Sequence, residues 1–345
     1  LLKRGHPLCQ ARAMSERPLI IGHRGACGYR PEHTRAAYEL AIEQGADALE
    51  PDLVATSDGV LVVRHENEIS GTTDVAEHPE FTDRKTTKSI DGVTLTGWFT
   101  EDFTWPELAT LRTRERLPQI RGGNTEFDGE QPILRFTDLL EIVDTAARPV
   151  SLVVEIKHAT YFDGLGLALD ELLARELFVA GWHPNDPRLV IESFEKSILV
   201  RMREGGLGAQ HVYLLSQGDT AWDELVWAQS EGVPSISYDE ELSDAGLDAF
   251  AGRLSGLSLD ARYLVDLASG DTAAGQALVQ RIHDRGLQVF AYTLRPENCF
   301  LPLEFRKGLD EGQWGNWEGA FQAIYATGVD AVFADHPDLA VRARP

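Results

Sequence analysis

Two carboxylates stand two residues apart in the apolar run at residues 48–54. They are Glu50 and Asp52. Residues two apart on a strand point to the same face, so these acids would repel each other unless a cation lay between them. A hard cation that prefers oxygen ligands, Mg²⁺ or Ca²⁺, suits this arrangement. The spacing therefore predicts a divalent metal site.

A turn signal downstream predicts which side chain faces these acids. The Asp-Gly dipeptide at 58–59 is a strong signal for a two-residue hairpin loop. If the residues on either side of that loop pair with each other, His65 lies directly opposite Asp52 on the same face. We therefore expect His65 to converge with Glu50 and Asp52. A surface hairpin with exposed acids is the alternative, and the apolar residues on both faces argue against it.

A second apolar run, at residues 151–156, also ends in charged side chains. Glu155 and Lys157 lie two apart and would share one face of the strand. Glu155 is a candidate third metal ligand, and Lys157 is a candidate cation for a substrate anion. The alternative is a structural Glu–Lys ion pair.

A histidine and an arginine follow the first apolar run directly, in the sequence IIGHRGACGYRPEHT at 20–34. Histidine titrates nearest neutral pH, so His23 is a candidate acid or base. Arg24 could make planar, bidentate contacts with a phosphate or a carboxylate. Two histidines, several acids and an arginine near the ends of separate strands indicate acid–base catalysis on a phosphate ester beside a metal.

Short β-branched runs alternate with amphipathic stretches along most of the chain. Strand followed by helix, repeated this often, indicates an α/β fold with a mostly parallel sheet. About eight such units suit a (β/α)8 TIM barrel, in which the ends of all strands meet at one rim. The sequence has nine such apolar runs, so one of them is not a barrel strand. The predicted strands are 19–22, 48–54, 60–65, 151–156, 188–193, 211–215, 256–260, 287–292 and 329–334.

Two stretches break this alternation. Residues 66–131 are polar and predict a small inserted subdomain, and residues 295–315 predict a shorter insertion. In a barrel both would lie at the C-terminal rim, where active sites are built. We expect the first insertion to cover the substrate pocket. Its aromatic side chains are Phe81, Trp98, Phe99, Phe103 and Trp105.

The bulk composition excludes some classes of partner. The chain has 345 residues and a formal net charge of −23, which argues against a nucleic-acid backbone as partner. No apolar run approaches the roughly 18 residues of a membrane span. Three cysteines without a CxxC spacing indicate neither a disulfide framework nor a zinc site.

The N-terminus lacks the apolar core of a signal peptide. We expect residues 1–17 to be a leader, disordered or left from expression, and residues 18–345 to form the barrel. The protein would be cytoplasmic if Met14 is the start, and periplasmic or secreted if an export signal was removed.

The order of these residues resembles the signature of glycerophosphodiester phosphodiesterases. The resemblance begins with His23-Arg24-Gly25, Glu50, Asp52 and His65. It continues through GYRPEHT (28–34), EIK (155–157), ESF (192–194), AYTLRPEN (291–298) and GVDAVFADHPD (328–338). It spans nearly everything after residue 19. The longer motifs and the long insertion are similar to the bacterial, periplasmic-type branch.

This resemblance implies a (β/α)8 barrel with an inserted subdomain. It implies hydrolysis of glycerophosphodiesters, such as glycerophosphocholine and glycerophosphoethanolamine, to glycerol 3-phosphate and an alcohol. It also implies one divalent cation, Ca²⁺ or Mg²⁺, with Glu50, Asp52 and Glu155 matching the metal ligands of the family.

The resemblance also implies roles for the remaining candidates. His23 and His65 match the acid–base pair of the family. Arg24 and Lys157 match the groups that face the phosphate. Apart from the resemblance, we expect aromatic residues at the rim beside the glycerol, with Phe194 and Tyr292 as the candidates; the alternative is that either packs in the core.

Two positions depart from the family pattern. Pro51 stands between the two acids, where a residue with a free N–H is usual, and it predicts a local distortion of the strand. Glu66 follows His65 where aspartate is typical, and its longer side chain would change the geometry if it contacts the metal or orients His65.

Three other functions stay open at this point. A barrel glycosidase could use Glu50 and Glu155 as acid and nucleophile, but it leaves both histidines without roles and predicts activity in chelator. A phospholipase D-like barrel would act on lipid head groups. A barrel without activity could bind a phosphodiester or a partner protein. Three further points stay open. They are which histidine is the acid and which the base, whether water or a neighbouring glycerol hydroxyl is the nucleophile, and the oligomeric state.

Overall fold

The computed structural model describes residues 17–345, and eight parallel strands in it close into a barrel surrounded by helices. The leader expected over residues 1–17 falls, apart from Arg17, outside the described residues. The last barrel strand returns to pair with the first, which confirms the predicted (β/α)8 fold. The strands are β1 (Leu19–His23), β2 (Ala48–Glu50), β3 (Asp52–Ala55), β4 (Leu61–Val63), β5 (Thr86–Ile90), β6 (Val93–Gly97), β7 (Ser151–Ile156), β8 (Leu189–Ser193), β9 (Gln210–Leu215), β10 (Gly256–Asp260), β11 (Gln288–Leu294) and β12 (Ala331–Ala334).

The nine predicted runs reduce to eight barrel strands because one of them is a hairpin partner. β4 pairs antiparallel with β3 and lies outside the parallel barrel. β2 and β3 are one barrel strand that Pro51 interrupts. Ala48 pairs with Ser151 and Asp52 pairs with Glu155, so the register against β7 continues unchanged across the proline. The distortion expected at Pro51 is therefore a local break without a slip.

The register predicted for the β3–β4 hairpin is wrong by one residue. The N–H of Arg64 donates to the carbonyl of Asp52 at 3.0 Å, so Arg64 and not His65 lies opposite Asp52. The loop holds three residues, 57–59, instead of two. Gly59 adopts φ +74°, the left-handed conformation that a three-residue hairpin loop requires. His65 reaches the site from the segment that follows β4.

Helices cover the outside of the barrel. α1 begins after Thr34, whose hydroxyl accepts the N–H of Ala37 at 3.1 Å as an N-cap. Within residues 17–345, no helix combines the length and the apolar character needed to cross a membrane. The helices are α1 (Arg35–Glu43), α2 (Trp105–Leu108), α3 (Phe136–Asp144), α4 (Ala159–Gly164), α5 (Leu169–Val179), α6 (Lys196–Glu204), α7 (Trp222–Glu231), α8 (Tyr238–Glu241), α9 (Asp244–Phe250), α10 (Ala273–His283), α11 (Trp317–Tyr325) and α12 (Pro337–Ala343).

Side chains along each strand point alternately into and out of the barrel, and this alternation sets the height of each functional side chain along the barrel axis. A cluster of apolar side chains packs inside the barrel. Two residues further along several strands, the next position on the same face is polar or charged. These steps run from Ile21 to His23, Ala48 to Glu50, Val153 to Glu155, Val190 to Glu192 and Phe333 to Asp335. The candidate residues therefore lie one layer above an apolar core, toward the C-terminal rim.

The inserted segment between β4 and α3 reaches this rim. Its strands β5 and β6 form an antiparallel hairpin separate from the barrel. Arg116 of the insertion pairs with Glu32, which lies in the loop after β1. Arg121 pairs with Glu297 and Asp335, which follow β11 and β12. The insertion is thus tied by ion pairs to three loops at the C-terminal ends of barrel strands.

The insertion lies at the C-terminal rim, but its five aromatic side chains do not line the active-site cavity. Four of the five are buried. The indole N–H of Trp98 donates to the carbonyl of Phe81 at 2.6 Å, and Phe81 packs edge-to-face on Phe103 at 5.1 Å. These side chains belong to the large apolar cluster that also contains barrel-strand and helix residues. The shorter insertion after β11 supplies pocket wall instead, through residues 299–302 and Arg306.

Candidate active site

Strand register places the candidate residues side by side at the C-terminal end of the barrel. His23 pairs with Glu50 between β1 and β2. Asp52 pairs with Glu155, and Glu155 pairs with Glu192 on the next strand. Eight of the nine predicted site residues line one cavity of about 430 Å³. The ninth, Asp52, is fully buried.

Three carboxylates converge in this cavity. Oxygens of Glu50, Glu155 and Glu192 lie within 4.8 Å of one another, and all three side chains are buried. Burial, reinforced by the neighbouring carboxylates, raises the pKa of each carboxyl group, that of Glu155 to about 8. Oε1 of Glu50 and Oε2 of Glu192 accept no hydrogen bond within the described part of the chain. Such a cluster could hold a divalent cation, whose charge would offset the repulsion.

Asp52 lies beside two cations and a buried histidine. Its Oδ2 is 2.8 Å from His33 Nε2 and 3.3 Å from Arg24 Nε, and its Oδ1 is 3.2 Å from Lys157 Nζ. Burial alone would raise the pKa of Asp52, but Lys157 and the other neighbours hold it well below its usual range. The same Lys157 Nζ lies 2.6 Å from Glu155. Asp52 is therefore ionised, and Lys157 joins it to the carboxylate cluster.

His23 is oriented by a buried aspartate. Its Nδ1 lies 2.6 Å from Asp335 Oδ1. Asp335 Oδ2 accepts hydrogen bonds from Arg121 at 2.6 Å and Arg295 at 2.8 Å, and these arginines keep its pKa well below the usual range despite burial. Burial, with a contribution from Arg24, lowers the pKa of His23 to about 4. Because Nδ1 faces the carboxylate, Nε2 is the nitrogen left for a ligand.

His65 has a matching arrangement. Its Nδ1 lies 2.6 Å from Glu66 Oε1. Arg116 donates to the two oxygens of Glu66 at 2.8 and 2.6 Å, and to the two oxygens of Glu32 at 2.6 Å each. Burial, reinforced by nearby cations, lowers the pKa of His65 to about 3. The glutamate at position 66 therefore orients the histidine, and an arginine of the insertion holds that glutamate.

Arg24 has contacts that suit both a structural and a binding role. It adopts φ +56°, and the following Gly25 adopts φ +85°, where an added Cβ would lie 2.6 Å from the carbonyl carbon of Ala37. The Arg24 N–H donates to Glu50 Oε2 at 2.7 Å, and its Nη1 donates to Glu32 at 2.9 Å. The side chain also lines the cavity. Arg24 thus ties the first loop to β2 and presents cationic surface to a ligand.

Two aromatic side chains form part of the cavity wall. Phe194 and Tyr292 pack edge-to-face, with 5.9 Å between their ring centroids. The hydroxyl of Tyr292 donates to the carbonyl of Leu215 at 2.8 Å. With its hydroxyl bound to the backbone, Tyr292 offers a ligand its ring.

Four residues that complete the site had no predicted role. Glu192 and Asp335 had a signal, because each follows an inward apolar residue of its strand by two positions. For Arg116 and Arg121 the sequence held no such signal, because they lie in an irregular segment whose path no local periodicity predicts.

Known proteins share this sequence pattern. The sequence model of the Glycerophosphoryl diester phosphodiesterase family matches residues 23–339. Glycerophosphodiester phosphodiesterase GDPD6 of Arabidopsis thaliana is 32% identical over 335 residues, covering 93% of this chain and 84% of the relative. The glycerophosphodiester phosphodiesterase of Haemophilus influenzae is 26% identical over 348 residues, covering 95% of this chain and 90% of the relative.

Solved structures share the fold. A putative glycerophosphoryl diester phosphodiesterase from Silicibacter pomeroyi superposes with a TM-score of 0.62 at 20% identity, covering 95% of this chain and 94% of that chain. A phosphodiesterase from Oleispira antarctica, solved with the product sn-glycerol-3-phosphate, gives a TM-score of 0.56 at 20% identity, covering 95% and 96%. Because the family model spans nearly the whole barrel, this chain belongs to the glycerophosphoryl diester phosphodiesterase family and is an enzyme of that class.

Proposed function

We propose that this enzyme hydrolyses glycerophosphodiesters such as glycerophosphocholine and glycerophosphoethanolamine to glycerol 3-phosphate and an alcohol, with a divalent cation and two histidines as acid and base. One observation carries the proposal. Two histidines, each held through Nδ1 by a carboxylate, line the same cavity as a cluster of buried carboxylates. The glycerol 3-phosphate bound to the Oleispira phosphodiesterase supports the product named here.

The residues present fit a cation with oxygen ligands. Glu50, Asp52 and Glu155 would hold it, and Glu192 offers a further carboxylate within 4.8 Å of Glu50 and Glu155. Each of Glu50, Asp52 and Glu155 has a buried oxygen that accepts no hydrogen bond within the described chain, which supports that assignment. The raised pKa values of Glu50 and Glu155 add to it, whereas Asp52 is kept ionised by Lys157 and its other neighbours. When bound, Ca²⁺ or Mg²⁺ supplies Lewis-acid stabilisation of the phosphoryl oxygens.

The two histidines move the protons. Nε2 of one removes a proton from the attacking water, or from a glycerol hydroxyl if the reaction passes through a cyclic phosphate. Nε2 of the other gives a proton to the leaving alkoxide. Asp335 and Glu66 hold the rings and stabilise the imidazolium form. Because burial keeps both rings neutral at pH 7 in the free enzyme, the acid gains its proton as the anionic phosphate enters.

Arg24 and Lys157 face the charge that develops on the phosphate. Both are already oriented by buried carboxylates, so little reorganisation is needed as the reaction proceeds. Arg24 can present two N–H groups to two phosphate oxygens, which an ammonium group cannot do. The rings of Phe194 and Tyr292 would contact the glycerol.

Release of glycerol 3-phosphate from glycerophosphocholine tests this function. We expect the full chain to show no turnover in EDTA and to recover with added Ca²⁺ or Mg²⁺. Full activity in excess chelator would overturn the metal role and favour a mechanism that needs only carboxylates, as in a glycosidase. Binding of glycerophosphocholine without hydrolysis under any metal condition would favour a barrel without activity.

A further inference from the structure

A second, smaller cavity lies beside His23. Its volume is about 20 Å³, which is room for one water molecule or one ion. Cys27 and Asp335 line it together with His23. A ring nitrogen of His23, the sulfur of Cys27 and a carboxylate oxygen of Asp335 lie within 4.8 Å of one another. This His–Cys–Asp cluster offers nitrogen and sulfur donors, whereas the cluster in the active-site cavity offers carboxylates alone.

Backbone and side-chain contacts hold the His–Cys–Asp cluster in place. The N–H of Gly28 donates to the carbonyl of Asp335 at 2.8 Å, which joins the loop after β1 to the end of β12. Arg121 donates to Asp335 Oδ2 at 2.6 Å and to the carbonyl of Cys27 at 3.3 Å. Its Nη1 comes only within 3.9 Å of the Cys27 sulfur, which leaves the sulfur available to a metal. No sequence spacing marks the cluster, because 312 residues separate His23 from Asp335.

Four arginines also line the second cavity, and each is already paired with a carboxylate. The pairs are Arg24 with Glu32, Arg116 with Glu32 and Glu66, Arg121 with Glu297 and Asp335, and Arg295 with Asp335. Glu115 lines the cavity as well, and in the described chain its carboxylate accepts hydrogen bonds from the N–H of Leu117 and the amide of Asn124, which carry no charge. The guanidinium charges are therefore balanced, and a cation could enter.

We propose that the His–Cys–Asp cluster binds Zn²⁺ and that the bound zinc blocks catalysis. Thiolate and imidazole ligands favour zinc, whereas Ca²⁺ and Mg²⁺ prefer oxygen. Zinc lies about 2.0–2.3 Å from its ligands, which puts them about 3.5 Å apart. His23 Nδ1 and Asp335 Oδ1, now 2.6 Å apart, would have to separate by only about 1 Å.

Zinc on Nδ1 would remove His23 from the reaction. The thiol proton of Cys27 passes to solvent as the thiolate binds, and the Nδ1 proton of His23 moves to Nε2. With its Nε2 protonated, the ring cannot accept a proton as a base, and as a neutral ring it holds that proton too tightly to act as the acid. The inhibition rests on the proposed role of His23, whereas zinc binding does not.

Zinc titration of glycerophosphocholine hydrolysis, at saturating Ca²⁺ or Mg²⁺, tests the inhibition. Cys27→Ser should raise the Zn²⁺ concentration for half-inhibition at least about tenfold, because a hydroxyl is a weaker zinc ligand than a thiolate. Cys299→Ser is the matched control and should leave that concentration unchanged, since Cys299 lines the active-site cavity but lies outside the cluster. Active enzyme without zinc inhibition, equal inhibition of wild type and Cys27→Ser, or full relief by excess Ca²⁺ would overturn the proposal.

Cobalt binding tests the site without relying on turnover. Co²⁺ replaces Zn²⁺ in such sites, and its bond to a thiolate gives a charge-transfer absorption band. We expect this band in wild type and in Cys299→Ser, and we expect Cys27→Ser to lose it. No band in wild type, or a band of equal intensity in Cys27→Ser, would overturn the site. A band lost in Cys27→Ser, with no hydrolysis of any glycerophosphodiester, would support the site and overturn the proposed function alone.

Discussion

The carboxylate cluster predicts an unusual dependence of stability on pH in the metal-free enzyme. Burial raises the pKa of Glu155 to about 8, and it raises the pKa of Glu50 and Glu192 well above the usual range. Between the ordinary pKa of 4.5 and the folded value, the folded chain holds a proton that the unfolded chain has lost. The free energy of unfolding should therefore fall as pH rises through this window.

The size of the effect follows from the pKa of Glu155. The separation between 4.5 and about 8 corresponds to about 5 kcal/mol at 1.36 kcal/mol per pH unit. About 1 kcal/mol of this falls between pH 7 and 8. The buried histidines oppose it only slightly there, because His23 and His65, with pKa values lowered to about 4 and about 3, are neutral in the folded chain and, at the ordinary pKa of 6.5, mostly neutral in the unfolded chain. A bound cation would favour the ionised carboxylates and so remove this fall in the free energy of unfolding.

Thermal melts can measure this pH dependence of stability. The EDTA-treated chain is melted at pH 7, 7.5 and 8, with and without added Ca²⁺ or Mg²⁺. We expect the metal-free melting temperature to fall over this range and the stabilisation by metal to grow with pH. Glu155→Gln should flatten the metal-free slope. Glu224→Gln is the matched control, since Glu224 is also buried but accepts a hydrogen bond from the backbone N–H of Ile236 outside the cluster. A metal-free melting temperature that rises with pH, or metal stabilisation independent of pH, would refute the reasoning.

Two further variants test the arginines. Arg24→Lys should lower kcat/KM at least about tenfold, which corresponds to roughly 1.4 kcal/mol of transition-state binding. Metal affinity should stay unchanged. A large fall in melting temperature with intact turnover per folded molecule would instead make Arg24 purely structural. Arg116→Lys should lower kcat by about tenfold with metal affinity unchanged, because one ammonium cannot bridge the oxygens of Glu32 and Glu66. Arg114→Lys, in a half-exposed ion pair of the same insertion, should leave kcat unchanged, and an equal loss in both variants would show that Arg116 only stabilises the insertion.

Side-chain alternation explains why much of the site could be predicted from the sequence. A strand whose inward positions are apolar must point its next inward residue into the mouth of the barrel. Glu155 follows Val153 in this way, and His23 follows Ile21. The same rule holds for Glu192 and Asp335, which follow Val190 and Phe333 by two positions.

Loop geometry and long-range ion pairs explain what could not be predicted. The Asp-Gly signal marked the turn after β3 correctly, but a glycine in the left-handed conformation suits both two- and three-residue loops. The choice between them shifted the register by one and put Arg64 opposite Asp52. Arg121 contacts Asp335 across 214 residues of chain, and no local pattern encodes such a contact.

The most direct test of the two-histidine mechanism compares His23→Ala and His65→Ala on two substrates. Each variant should lower kcat on glycerophosphocholine by about 10²–10⁴-fold without a large change in melting temperature. On a glycerophosphodiester with a p-nitrophenol leaving group, which departs without a proton, the variant that lacks the acid should recover most of its loss. The variant that lacks the base should not recover. Near wild-type kcat on glycerophosphocholine in either variant, or equal recovery in both, would contradict this account.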